Sequence, residues 1–129
     1  MNIIQRITTW YEDITPSSLN QEFDNVVNVI NSLAPTLVSS SSAYTIKSFD
    51  VYVFVDATSG TVAITLPTAV GVTGKRYAIK DWKGQSGTHN ITIGTTSSQN
   101  IDGSSTKVLN SNYQAVEVVS DGANWSIIS

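Results

Sequence analysis

Residues 15–33, TPSSLNQEFDNVVNVINSL, form the stretch around which the rest of the chain is organised. Thr15 can cap the free N–H groups at a helix start, and Pro16 suits the first helical position, where its missing N–H has no intrahelical partner. Apolar residues then recur at spacings of four, three, four and three, and we call them the heptad ridge: Leu19, Phe23, Val26, Ile30 and Leu33. The pattern predicts one short amphipathic helix.

The heptad ridge needs a surface to cover it, because a helix of about five turns is marginally stable alone in water. Two interpretations are open at this point: the ridge packs on the chain's own domain, which is the commoner use of such a face, or on copies of itself. The large Phe23 and the β-branched Val26 and Ile30 are compatible with three associating helices. We expect a trimerising helix.

Composition limits the classes of function open to the chain. Its 129 residues suggest one domain with a small appendage. The net charge of -3 lies wholly in residues 1–38, whereas residues 39–129 carry six basic and six acidic side chains, which argues against nucleic-acid binding by bulk charge. The absence of cysteine excludes disulfides and thiolate metal sites. No cofactor is expected.

The first 14 residues, MNIIQRITTWYEDI, are too apolar for a solvated tail. They are either an extra strand that covers the chain's own domain or an anchor peptide that docks on another protein. The candidate attachment residues are Ile3, Ile4, Ile7, Trp10 and Tyr11. We see neither a secretory signal nor an apolar run long enough to span a membrane, so we expect the protein to leave a cell only within a particle released whole.

A hinge is predicted over residues 34–43, because Pro35 stops the helix and residues 39–42 are four consecutive serines. The chain is thus expected to comprise an attachment arm (1–16), a helical stalk and hinge (17–38) and a β head (39–129). Val, Ile and Thr are dense in the head, and glycine-bearing turns separate eight predicted strands: 44–47, 51–56, 61–66, 75–81, 90–94, 107–109, 113–119 and 125–128. The expected fold is mainly β, with an antiparallel β-sandwich or barrel as the head.

The predicted strand at 51–56 is apolar on both faces, which is typical of a strand buried on both sides. Its valines fill one face, and Tyr52 and Phe54 fill the other. The second face of a small sandwich normally meets water, so Tyr52 and Phe54 are candidates for a subunit contact. Coverage by the N-terminal arm is the alternative.

Few residues suggest chemistry. His89 is the only histidine, it lies in a turn-like stretch, and it is expected to be a solvated side chain. Four residues close together are candidate glycan contacts, with Trp82 best suited to stack on a sugar ring: Arg76, Lys80, Trp82 and Lys83. The commoner interpretation is a solvated strand face whose charge Asp81 balances.

Three segments of the head resemble a β module of tailed-bacteriophage fibre and appendage proteins: 56–84 (DATSGTVAITLPTAVGVTGKRYAIKDWKG), 100–106 (NIDGSST) and 110–128 (NSNYQAVEVVSDGANWSII). Residues 14–33 are similar to a segment near the start of phage head- and tail-fibre proteins, with matches at Thr15, Leu19, Asn20, Glu22, Phe23 and Asn25. The resemblance implies a homotrimeric virion fibre with an N-terminal attachment segment, a helical stalk and a distal β head. Because the chain is short, it favours a short fibre or a small protrusion.

From these features we expect a non-enzymatic structural protein of a phage particle, assembled in the host cytoplasm. Its expected partners are two further copies of itself, another virion protein (capsid, neck or tail) and host-surface glycans, with no nucleic acid and no membrane. Avidity between copies would compensate for weak glycan binding. A monomeric carbohydrate-binding module is the alternative, and an enzyme of the usual kind would depend on His89 as its base.

Overall fold

The computed structural model describes residues 16–31, 34–39 and 43–129. The chain divides into two compact units between Ser32 and Leu33. The first contains helix α1 (Pro16–Asn31). The described part of the second contains nine strands: β1 (Thr36–Val38), β2 (Ala43–Thr45), β3 (Tyr52–Val55), β4 (Val62–Leu66), β5 (Arg76–Asp81), β6 (Ile91–Thr95), β7 (Thr106–Leu109), β8 (Ala115–Ser120) and β9 (Trp125–Ile127).

Helix α1 confirms the helix predicted from the heptad pattern and begins at Pro16. Leu19, Phe23 and Val26 of the heptad ridge are 50%, 67% and 55% exposed. Of Ile30 only the helical backbone is described, and Leu33 lies outside the described residues. The described part of the ridge therefore presents large apolar side chains at its surface.

The strands form two mixed sheets. Sheet A has the order β1-β3-β5-β8-β9, and sheet B has the order β2-β4-β6-β7. From β1 to β6 the chain alternates between the sheets, and neighbours within each sheet run parallel. A parallel pair needs a crossover connection, and here a strand of the other sheet supplies part of it. We call this arrangement the two-sheet winding.

The expectation that the strands of the head pair antiparallel is correct only for the pairings that involve β7, β8 and β9. Antiparallel pairs join β6 to β7, β5 to β8 and β8 to β9, whereas the other four pairings are parallel. Glycine-bearing turns between short strands are typical of hairpins. Within the winding the chain instead passes to the opposite sheet, a difference that the turn residues alone do not reveal.

A single hydrophobic core draws on both sheets. Alternation in β4 buries Val62, Ile64 and Leu66, and the same period buries alternate residues of β3, β5 and β8. Trp125 is fully buried, its ring centroid lies 5.5 Å from that of Tyr77, and its indole N–H donates to a backbone carbonyl. The mainly β character expected from the sequence is thus confirmed.

The predicted hinge includes an element of sheet A. Strand β1 lies within residues 34–43 and pairs with β3, so the β region begins before the expected boundary at residue 39. A buried carboxylate, that of Asp50, holds this first turn of the winding together. It accepts hydrogen bonds from the Thr36 hydroxyl (2.5 Å), the Tyr44 hydroxyl (2.7 Å) and the Lys47 N–H (2.8 Å). Three polar donors therefore compensate for the burial of Asp50.

Stability at alkaline pH tests this contact. Burial, followed by the hydrogen bond to Asp50, raises the pKa of Tyr44 to about 12 from an ordinary value of 10.0. Above pH 10 the unfolded chain loses the Tyr44 proton while the folded chain keeps it, so folding stability should fall from pH 10 to about 12. Urea unfolding across this range should show a shallower fall for Tyr44→Phe than for the wild type. Tyr52→Phe is the matched control, and an equally steep fall in Tyr44→Phe would contradict the assignment.

Candidate ligand-binding surface

Five residues at the carboxyl end of β5 form an aromatic and cationic surface on sheet A, which we call the β5 shelf: Phe54, Lys80, Trp82, Lys83 and Tyr113. The register places Lys80 between Phe54 of β3 and Ala115 of β8. All three face outward, because the alternating residues Val53, Ile79 and Val116 point into the core. Lys80 thus occupies the middle of the shelf.

Trp82 lies on the β3 side of the shelf. The backbone N–H of Trp82 donates to the carbonyl of Val55 at 2.9 Å, which extends the β3–β5 pairing by one residue. The ring centroid lies 6.5 Å from that of Phe54, and the Lys83 Nζ lies 3.8 Å from the Trp82 centroid. Trp82 is 39% exposed as a residue, so it lies at the surface, where a ligand can reach it.

Tyr113 lies on the β8 side and is held in an unusual conformation. Its φ of 63° is left-handed, which is rare for a bulky residue, and the residue is 62% exposed. Lys80 Nζ donates to the Tyr113 carbonyl and lies 5.6 Å from the ring centroid. Backbone strain at an exposed aromatic side chain persists only where its surroundings fix it, and such sites are often functional.

The buried carboxylate of Asp81 fixes those surroundings. One oxygen accepts the N–H groups of Gly84 (3.0 Å) and Gln85 (3.2 Å), and the other accepts those of Ser86 (3.0 Å) and Tyr113 (2.9 Å). Burial raises the pKa of Asp81, but hydrogen bonds, chiefly from backbone N–H groups, outweigh that effect and lower the pKa below its ordinary value. Asp81 is therefore a structural anchor, and the prediction that it balances the lysines at the surface is wrong.

The absence of a side chain at Gly84 leaves room for the Tyr113 ring. A Cβ at this position would overlap the Tyr113 ring, and the φ of Gly84 is +70°, which disfavours other residues. The ring therefore lies directly against the Gly84 backbone. The sequence analysis missed Tyr113 and the anchoring role of Asp81, although an aspartate three residues before a glycine in a turn is a signal for side-chain to backbone hydrogen bonds.

The remaining predicted glycan contact lies apart from the shelf. Arg76 is at the opposite end of β5, about 13 Å along the strand from Lys80, and its guanidinium lies 3.5 Å from Glu117. The structure thus brings Lys80, Trp82 and Lys83 together and adds Phe54 and Tyr113. Of the predicted subunit contacts, Tyr52 is exposed and Phe54 is half-buried within the shelf.

Other predicted sites are either outside the described residues or structural. The candidate attachment residues Ile3, Ile4, Ile7, Trp10 and Tyr11 lie outside the described residues. His89 is half-buried, and its Nδ1 lies 2.7 Å from a backbone carbonyl oxygen, so the expectation of a solvated side chain is wrong. In the described ranges no three His, Cys, Asp or Glu side chains form a group that could hold a metal ion.

The arrangement of the shelf suits binding rather than proton transfer. Its aromatic faces can stack on a ligand ring, and its two ammonium groups can attract an anion. The neighbouring carboxylate, Asp81, is buried with both oxygens committed to N–H groups, so it is not available as a general base.

A scan against protein-family models finds no match for this chain, and a search of curated proteins finds no significant match. In the part of the chain that the structure describes, none of the helices has the length and apolar character needed to cross a membrane.

Replacing Asp81 tests its anchoring role. Asp81→Asn keeps one acceptor oxygen but turns an amide NH₂ toward N–H donors, so unfolding free energy should fall by about 2–4 kcal/mol. Chemical denaturation measures this loss, with Asp24→Asn on the exposed helix as the control. A loss of unfolding free energy no larger than that of Asp24→Asn would contradict the anchoring role of Asp81.

The same carboxylate predicts acid sensitivity. The pKa of Asp81 is lower in the folded protein than its ordinary value of 3.8, so the ionised carboxylate stabilises the fold at every pH above 3.8. This stabilisation is lost as the pH falls from 3.8 through the folded pKa. Below about pH 4, wild-type stability should therefore converge toward that of Asp81→Asn. Denaturation midpoints of both proteins measured from pH 7 to pH 2 check this, and a constant difference would exclude the assigned cause.

The contact between Gly84 and Tyr113 is tested by a double-mutant cycle. Gly84→Ala should destabilise the protein by about 1–2 kcal/mol through left-handed backbone strain and overlap with the ring. In a Tyr113→Gly background only the backbone strain remains, so the loss should be smaller. Equal losses in the two backgrounds would show that the ring does not rest on Gly84.

Proposed function

We propose that this chain is a non-enzymatic structural protein of a bacteriophage particle, a homotrimeric fibre or capsid protrusion on the head or tail. Residues 1–16 attach it to another virion protein, helix α1 trimerises, and the β region is an outward-facing head that adheres to host-surface glycans. In this proposal sheets A and B are the two layers of a β-sandwich. The phage assignment rests on the resemblance of residues 14–33 and of the head segments to fibre proteins.

The observation that carries the proposal is the exposed heptad ridge. Leu19, Phe23 and Val26 are each at least half exposed in the single chain, although they are spaced as one seam. Full burial of such a side chain contributes about 1.5–3 kcal/mol. Three copies that share one seam would cover these side chains and stabilise a helix that is marginal alone.

The head offers a second apolar surface in support of self-association. On the outer face of sheet A, Leu37 and Tyr52 are exposed on the adjacent strands β1 and β3, beside the half-buried Phe54. Contiguous exposed apolar side chains often mark a protein contact. Tyr52 and Phe54 are therefore kept as proposed subunit contacts.

A monomeric carbohydrate-binding module is the second candidate. The observation that favours it is the β5 shelf, with a partly exposed indole and an exposed tyrosine ring beside two lysines. Such a module needs no trimer. Mass in solution therefore separates the two candidates.

Sedimentation equilibrium at micromolar concentration should give a mass of three 13.9 kDa chains for the wild type. Phe23→Asp places a charge on the heptad ridge and should give monomers, because three carboxylates would be desolvated in one seam. Gln21→Asp adds the same charge to the opposite face of the helix and should leave the trimer intact. The double variant Phe23→Asp/Ile30→Asp tests the same seam.

A wild-type monomer would overturn the fibre proposal and favour the carbohydrate-binding module. Trimers that survive Phe23→Asp and the double variant would exclude the helix as the assembly element and assign the contacts to the head.

A further inference from the structure

We propose that the β5 shelf binds one pyranose that carries a carboxylate, that is, an acidic sugar. Trp82 and Tyr113 contact the ring, and Lys80 and Lys83 bind the carboxylate. The inference deepens the glycan adhesion in the proposed function and rests on that part of it. It also gives Tyr113 a binding role that the sequence did not predict.

The width of the shelf fits a single sugar ring. Phe54, Lys80 and Ala115 lie on three adjacent strands of sheet A, so the two outer positions are about 10 Å apart. Trp82 extends the aromatic group on the Phe54 side, and Tyr113 stands on the other side, in contact with Lys80. A ring bound over Lys80 would meet an aromatic side chain at each edge.

The charge of the shelf selects an anion. The two contacts of Lys80 Nζ on Tyr113, its carbonyl oxygen and its ring, carry no formal negative charge. Lys83 lies over the Trp82 indole, and its charge contributes to the lowered pKa of Asp56. Asp81 is buried beneath the shelf and directs its oxygens at backbone N–H groups. Lys80 can therefore exchange an uncharged acceptor for a ligand carboxylate, and Lys83, which has the Asp56 carboxylate nearby, adds a second positive charge at the edge of the shelf.

A bare phosphate or sulfate fits this surface less well. Proteins commonly hold such ions with clustered backbone N–H groups or with arginine. The clustered N–H groups here, those of Gly84, Gln85, Ser86 and Tyr113, all point to Asp81. The aromatic edges instead suit a ligand with an apolar ring face, which a pyranose provides.

The shelf is also formed before any ligand arrives. Asp81 fixes the loop that follows Trp82, and the same carboxylate holds Tyr113 in its left-handed conformation with the ring on Gly84. A site ordered in advance loses less conformational entropy on binding. This accounts for strain at a residue whose side chain is mostly exposed.

The test is an NMR titration of the full chain, which detects weak binding. The probes are galacturonic, glucuronic and N-acetylneuraminic acids, each compared with its methyl ester, which keeps the ring and removes the charge; inorganic phosphate is the anion control. At least one acid should shift the Trp82 indole and Tyr113 amide signals with a Kd of about 1–10 mM, about fivefold tighter than its ester. Phosphate should leave these signals unchanged.

Matched variants separate charge from stacking. Lys80→Gln/Lys83→Gln should weaken binding of the acid to that of the ester, whereas Lys107→Gln on sheet B should change nothing. Tyr113→Gly removes the ring and relieves the left-handed strain, so it should weaken acid and ester alike. Tyr113→Asn, which also tolerates this conformation, serves if the glycine variant does not fold.

Three results would overturn the inference: no shift of the shelf signals by any of the three acids, equal affinity for acid and ester, or acid affinity that survives Lys80→Gln/Lys83→Gln. These outcomes are independent of the sedimentation experiment. A trimer without acid binding removes the inference and leaves the fibre proposal, whereas a monomer that binds the acid removes the fibre proposal and keeps the inference.

Discussion

A buried carboxylate that accepts four backbone N–H groups is the interaction on which the surface of sheet A depends. Asp81 ends β5 inside the protein, where an ionised group is tolerated only with hydrogen bonds to its oxygens. Its four donors come from the loop after β5 and from the turn before β8. One side chain thereby fixes the shape of two connections, and the exposed rings of Trp82 and Tyr113 lie on those connections. Asp50 has a related role at the first strands, where it joins β1, β2 and the turn that follows β2.

The two-sheet winding gives the outer faces of the sheets different characters. On sheet B the outward row through Ala63 and Thr92 contains only small side chains and no aromatic ring, whereas the outward row of sheet A contains Leu37 and Phe54 beside Lys80. Each inner face contributes to the same core, so the difference lies outside the packing that stabilises the fold. An apolar outer face with exposed rings is the natural surface for association or ligand binding, and both proposals draw on it. The two proposals share Phe54, which borders the β5 shelf. Otherwise assembly uses the heptad ridge and Tyr52, and sugar binding uses Lys80, Trp82, Lys83 and Tyr113.

Local pattern predicted most of the strands but not their pairing. The strand predicted at 61–66 corresponds to β4, because the alternation of Val62, Ile64 and Leu66 is a property of consecutive residues. Strand β1 was missed because its three residues follow a proline and precede a serine run, and its pairing with β3 involves residues distant in the sequence. For the site, sequence reasoning selected Trp82 and its neighbouring lysines from their proximity along the chain. It could not select Tyr113, which reaches the shelf through a hydrogen bond to a residue 32 positions earlier.

The sequence by itself determined the start of helix α1, its heptad spacing and the mainly β character of the rest. These features depend on the period of apolar residues and on capping, which act over a few neighbouring positions. Tertiary structure alone decided that β1 to β6 run parallel within their sheets, that Asp81 is buried and that Tyr113 is left-handed. Each of these depends on which distant backbone groups meet, because a carboxylate is a surface charge or an internal anchor according to the donors that the fold brings to it.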